Sequence, residues 1–242
     1  MKSKTKCDAR RYLVAVGFFV AGCTVGPMVP PNGNLNGNAN ANANGSNGNG
    51  SDNANDNTSG NTNDNTPEVM FTVTLETTLG EIVIRLEPDA APFAAVNFIK
   101  YVNAGFYDGR DNRGATVFHR VVPGRFIHAG ALTESLDAKA ALCPPIQNES
   151  NNGQRNDRGA VAMYWVADFN GATSEFFINL ANNDDLNFMN EAQPGYTVFG
   201  WVIDGMDVVD EIANLPTVDI PPVTEDVPAD PPVIQNATVS NQ

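Results

Sequence analysis

The sequence predicts a mainly β fold, a closed antiparallel barrel capped by two helices. Three observations carry this reading. From about Glu68 onward the chain breaks into many short apolar or alternating runs separated by loops, as strands joined by turns do. Only two stretches carry helical spacing, so helices cap the sheet rather than alternate with its strands. Roughly 175 residues are available in this region, enough to bury a full core without disulfides or metals as staples.

Phe71–Glu76 and Glu81–Leu86 alternate or run apolar and are joined by a short turn containing Gly80, which predicts a hairpin. Pro92–Val102 reads as a helix, with Pro in its first turn, Ala95, Phe98 and Val102 on one stripe, and Gly105 beyond its end. Further strands are expected at Thr116–Val122, Phe126–His128, Gly159–Trp165, Glu175–Leu180, Tyr196–Ile203 and Val233–Ser240. Met206–Asn214 reads as the second helix. Arg110–Ala115 reads as a surface insertion, and Ala131–Arg155, which lacks clear periodicity, as loops.

The first 67 residues are different in kind. A basic segment, Lys2–Arg11, precedes an apolar run, Tyr12–Val20, and then Ala21-Gly22-Cys23. This is the grammar of a signal peptide over residues 1–22, too short in its apolar part to span a bilayer as a stable helix. Val20-Ala-Gly-Cys23 resembles the lipobox of bacterial lipoproteins, which implies an acylated Cys23. Ordinary signal-peptidase cleavage is the alternative. Residues 23–67 are then the acylated cysteine and a linker. From about Pro30 to Pro67 the linker is dominated by Asn, Gly, Ala and Asp, which cannot bury enough apolar surface to fold. Such a coil of about forty residues reaches roughly 35 Å and serves as a tether. Irregular spacing of its Asn and Asp argues against calcium repeats. Residues 68–242 form the single folded domain.

Without residues 1–22 the chain keeps nine of its 14 basic and 27 of its 28 acidic residues, a net charge of −18. That field disfavours nucleic acid and anionic lipid surfaces, so the only expected membrane attachment is the lipid anchor. The expected location is the cell envelope, lipid-anchored on its periplasmic or outer-membrane side, or soluble in the periplasm if unacylated. Three cysteines at 7, 23 and 143 imply no disulfide framework, and Cys143 reads as a lone structural thiol.

Val117-Phe-His-Arg-Val-Val-Pro-Gly124 resembles a signature of the cyclophilins. Asn170-Gly-Ala-Thr-Ser-Glu-Phe-Phe-Ile-Asn179 and Tyr196-Thr-Val-Phe-Gly200 with Val202-Ile-Asp-Gly-Met206 resemble two more segments of that family, in the same order. Thr78-Leu-Gly-Glu-Ile-Val-Ile84, Ala91-Pro92 and Val96-Asn-Phe98 resemble its opening hairpin and first helix. The resemblance covers about residues 70–240. It implies an eight-stranded antiparallel barrel closed by two helices, and peptidyl-prolyl cis/trans isomerase activity on Pro-containing unfolded or loop segments of exported proteins.

Rotation about an X-Pro amide must overcome a barrier near 18–20 kcal/mol set by nitrogen lone-pair resonance. An apolar slot for the ring and a donor for the twisted amide suffice, so no cofactor or metal is expected. Arg120 matches the family's catalytic arginine and carries a permanent charge. The alternative is a solvent-facing surface arginine. Strict alternation would put it on one face with Phe118 and Val122. His119 matches the groove-side histidine. Phe177 matches the pocket aromatic, with Phe176 sent to the opposite face, although periodicity alone leaves both as core. Phe126, Leu186 and Tyr196 resemble other walls of the proline slot.

The chain departs from the family pattern at several of these places. Arg125 stands where an aromatic normally walls the pocket, and Asp185 where an aromatic precedes Leu186. His128 and Glu175 replace two glutamines, and Ala129 replaces a glycine. Glu175 is expected to pair with Arg125 or Arg120. A more charged groove keeps a second reading open, a weakly active or non-catalytic module that binds Pro-containing peptides. Metal or hydrolytic chemistry fits poorly. The two histidines, His119 and His128, are nine residues apart without metal-ligand spacing, and no nucleophile elbow is present. A monomer is expected.

Overall fold

A computed structural model describes residues 70–221 and 224–241. The signal segment, Cys23 and the linker lie outside the described residues. In chain order the elements are β1 (Phe71–Thr77), β2 (Gly80–Leu86), α1 (Pro92–Asn103), β3 (Asp108–Gly109), β4 (Gly114–Val122), β5 (Phe126–Thr133) and β6 (Ala160–Met163). They continue with β7 (Phe176–Asn179), a 3-10 turn at Asp184–Leu186, β8 (Val198–Asp204), α2 (Met206–Ala213), β9 (Thr217–Ile220), β10 (Thr224–Pro228) and β11 (Ile234–Asn241). Among the described residues no helix is long and apolar enough to cross a membrane.

Nine strands form one antiparallel sheet in the order β11-β1-β2-β8-β6-β7-β5-β4-β3. Its ends approach each other. Val117 bridges Val233, and the Phe118 N–H donates to the Pro232 carbonyl at 2.9 Å, so the sheet curls into a nearly closed barrel. The count is nine rather than eight because Asp108–Gly109 pairs with Ala115 and Gly114. Residues 110–113, the expected surface insertion, are therefore the turn of a hairpin. Its Arg110 guanidinium donates to the Val102 and Ala237 carbonyls, and the buried Lys139 ammonium donates to Phe106 O, Gly114 O and Asp111.

The β1–β2 hairpin forms where Gly80 predicts it. The Thr77 hydroxyl donates to the Gly80 carbonyl at 2.8 Å and accepts from the Leu79 and Gly80 N–H groups. Helix α1 buries Ala94, Ala95, Phe98, Tyr101 and Val102. Phe98 lies at the centre of the core, within 5.3 Å, ring centre to ring centre, of Tyr107, Phe176 and Phe199. Burying each such ring stabilises by roughly 1.5–3 kcal/mol. No side chain at the helix's own N-terminus caps it. Instead Glu149 reaches in from a distant loop and accepts from the Phe93 and Ala94 N–H groups at 3.1 and 2.9 Å, satisfying two donors that a first turn leaves open.

The hairpin β9–β10 has no counterpart among the expected strands, because its prolines hide it. Strand β5 runs on to Thr133, into the stretch expected to be loop. Cys143 is disulfide-bonded, not the lone thiol that cleavage of Cys7 and acylation of Cys23 would leave; Cys7 and Cys23 lie outside the described residues.

Candidate active site

Strand β4 does not alternate strictly. The pairing shifts between Phe118 and Arg120: Phe118 lies opposite Ala129, yet Arg120 lies opposite His128. One extra residue on β4 makes this a bulge, which sets His119 and Arg120 together against one partner. Its consequence corrects the alternation argument. Phe118 and Val121 are buried in the barrel core, whereas Arg120 and Val122 are partly exposed on the outside.

Across the neighbouring strands the register continues the row. His128 pairs with Phe177, and Phe177 with Ala162. Cross-strand partners share a face, so Arg120, His128, Phe177 and Ala162 line up over the outer surface. Phe176 points the other way, into the core against Phe98, Tyr107 and Phe118. Phe177 belongs to a separate apolar cluster with Phe126, Ala160, Ala162 and Val198.

This outer cluster floors a cleft of about 280 Å³. Arg120 and Val122 stand on one side, Leu186 and Tyr196 on another, and Phe126, Phe177 and Tyr164 form the base. Phe177 meets Phe126 at 5.0 Å and Tyr196 edge-on at 5.4 Å. Tyr164 and Tyr196 stack at 5.7 Å. A larger open depression of about 530 Å³ lies between Arg113 and Ala140, but no aromatic lines it.

Buried Asn156 fixes the far wall. Its side-chain amide donates to the Leu186 and Tyr196 carbonyls, and Tyr196 N–H donates to Leu186 O at 2.9 Å. Burial, then the neighbouring Tyr164, holds the Tyr196 phenol above its usual range, so it stays a neutral donor.

Arg120 is the one charged group on the wall that is free to act. Among the described residues it makes no ion pair, and its buried Nε has no hydrogen-bond partner. The other guanidinium, Arg125, donates to Asp185 at 2.6 Å. Glu175 pairs with neither arginine, contrary to expectation. Its carboxylate lies 3.0 Å from His128 Nε2 instead, because its strand neighbour Phe176 faces inward and leaves Glu175 pointing outward beside β5.

His119 and His128 do not line the cleft; they lie beneath its Arg120 side, 4 % and 3 % exposed, with ring centres 4.4 Å apart. Burial first, then His128, pushes the His119 imidazole well below its ordinary pKa, so it is neutral and supplies no acid near neutral pH. Two residues of the site were not among those expected. Tyr164 is part of the cleft's base and Asn156 a positioning residue. The alternation of Ala160 and Ala162 placed Tyr164 on this face, whereas nothing local marked Asn156.

The family model for "Cyclophilin type peptidyl-prolyl cis-trans isomerase/CLD" matches residues 72–239. The chain belongs to this family. It is 41 % identical over 167 residues to peptidyl-prolyl cis-trans isomerase A of Dickeya dadantii, covering 69 % of this chain and 83 % of that one. It is 42 % identical over 170 residues to peptidyl-prolyl cis-trans isomerase B of Escherichia coli, covering 69 % and 99 %. Among solved structures, a Cryptosporidium parvum cyclophilin crystallised in the presence of the dipeptide Ala-Pro superposes with a TM-score of 0.58 at 23 % identity, covering 71 % of this chain and 99 % of that one. The likeness at that identity is one of fold. Of the residues singled out in the sequence, Arg120, Phe126, Phe177, Leu186 and Tyr196 line this cleft, whereas His119, His128 and Glu175 do not.

Proposed function

We propose that this cyclophilin accelerates cis/trans rotation of X-Pro bonds in exported polypeptides, working from a lipid-anchored position in the cell envelope. The carrying observation is a guanidinium, Arg120, with no ion-pair partner among the described residues, beside a cleft floored by Phe126, Tyr164 and Phe177. A proline ring binds the apolar floor in either isomer and gains the same stabilisation in both. Arg120 acts on the difference. As the amide twists, its nitrogen regains a lone pair, and a positioned donor hydrogen-bonds that nitrogen in the twisted state far more strongly than in the planar one. No covalent intermediate is required by this route.

The envelope setting is supported by the basic-then-apolar leader, by Cys23 after small residues, and by a polar tract suited to a tether. Clients in this reading are extended Pro-containing segments of exported chains. The charged pair on the rim, Arg125 with Asp185, favours a second reading, a peptide-binding module with little turnover.

One assay separates the two. Catalytic amounts of the full chain, added to an X-Pro peptide in a protease-coupled measurement, are expected to speed interconversion, and Arg120→Ala to remove most of the effect. Peptide binding without acceleration would establish the second reading. Metabolic labelling with a fatty acid, lost in Cys23→Ser, tests the anchor.

A further inference from the structure

Strand β5 holds His128 between two neighbours. On one side the β4 bulge sets His119 against it, and on the other Glu175 lies just ahead of β7. One donor atom from each of these three residues lies within 4.8 Å of the others. The Glu175 carboxylate is 3.0 Å from His128 Nε2 without forming a hydrogen bond to it. Among the described residues, both ring nitrogens of His128 and Nδ1 of His119 are buried without any hydrogen-bond partner. Buried imidazole nitrogens ordinarily find one.

We propose that His119, His128 and Glu175 form a binding site for a divalent transition-metal ion of the zinc class, beneath the Arg120 side of the cleft. The donor set is two imidazoles and one carboxylate, which suits Zn²⁺ or Co²⁺ and leaves Ca²⁺ and Mg²⁺ short of oxygens. Metal–ligand bonds of about 2.0–2.2 Å put tetrahedral neighbours roughly 3.3 Å apart. The His128–Glu175 separation is already near this spacing, and small side-chain rotations close the rest. Glu175, 28 % exposed in its side chain, opens the site to solvent and leaves a fourth position for water.

Arg120 shapes the affinity. One carboxylate leaves the occupied site with a net positive charge beside a guanidinium, so binding is weaker than the donor set alone would give. By the same repulsion the ion displaces or disarms Arg120. It therefore acts as a brake on isomerisation, a consequence that rests on the proposed function, whereas the binding itself does not.

Calorimetric titration of the full chain with Zn²⁺, paired with Co²⁺ visible absorption, tests the site. One equivalent is expected, with a tetrahedral Co²⁺ spectrum. His128→Gln and Glu175→Gln should each weaken binding at least tenfold, and Arg120→Gln should tighten it several-fold, which loss of fold would not do. Lack of a saturable single equivalent, or equal binding by His128→Gln, overturns the site and assigns the ions to surface carboxylates or cysteines. In the X-Pro assay Zn²⁺ should slow the wild type, with chelator restoring the rate. Binding without slowing overturns the brake and leaves the site. A metal-free protein with no isomerase activity counts against the proposed function alone.

Discussion

Arg125 and Asp185 meet at 2.6 Å on the rim of the cleft, with side chains 41 % and 65 % exposed. Each occupies a place where the family pattern has an aromatic, and the two departures answer each other. An exposed pair of this kind stabilises by about 0–1 kcal/mol. A double-mutant cycle read by denaturant unfolding should therefore give a coupling below about 1 kcal/mol. Replacing both at once, Arg125→Phe with Asp185→Trp, should raise kcat/KM on an uncharged X-Pro peptide by about tenfold, because about 1.4 kcal/mol of added ring burial is tenfold in binding. An unchanged kcat/KM would show that the rim plays no part in seating the substrate.

Arg120→Lys keeps the positive charge and loses the planar fork of donors. The rate should still fall by roughly 10²-fold, close to the loss of one preorganised donor. Peptide affinity should change little, since the apolar floor is untouched. Separate measurement of kcat and KM decides the matter. A fall confined to KM would make Arg120 a binding residue.

Glu149 substitutes for a missing cap on α1. Glu149→Ala should lower unfolding free energy by about 1–2 kcal/mol, the usual cost of losing a cap. Glu149→Gln, whose amide oxygen still accepts, should recover part of it. Equal losses in the two variants, measured in urea, would point to packing and not to hydrogen bonding.

Tyr107 is wholly buried and donates to the Ser174 carbonyl at 2.8 Å. Burial first, then Tyr101 and Glu175, raises its pKa well above 10.0. The folded state thus holds a proton that the unfolded state releases near its ordinary pKa. Stability from this group is complete below about pH 10 and declines as pH climbs toward the folded value. Tyr107→Phe should flatten that alkaline decline while costing about 1 kcal/mol at neutral pH. An identical alkaline slope in the variant would assign the effect to other groups.

The resemblance to the cyclophilins, more than periodicity, pointed to most of what builds the site. Alternation separated Phe176 from Phe177, and the helix stripe of Ala95, Phe98 and Val102 found the core. What escaped depends on register between strands. Nothing between Val117 and Val122 signals the extra residue at His119, because a bulge is a relation between two strands. Without it Phe118 and Arg120 share a face. The same relation sets two histidines nine residues apart against each other, which no linear ligand spacing shows. Asn156 escaped for a related cause, since its role is to hold carbonyls 30 and 40 residues away.

Along β4 a single residue, His119, separates a side chain that belongs to the interior from one that belongs to the cleft. The sheet acts as a partition one backbone thick, with folding determined on its inner side and chemistry on its outer side. Replacement of outer residues such as Arg125, His128, Glu175 or Asp185 leaves the ring packing around Phe98 alone. An architecture partitioned in this way permits wide drift in clientele at small risk to the scaffold, whereas insertion or deletion within β4 would exchange the two sides and endanger both at once.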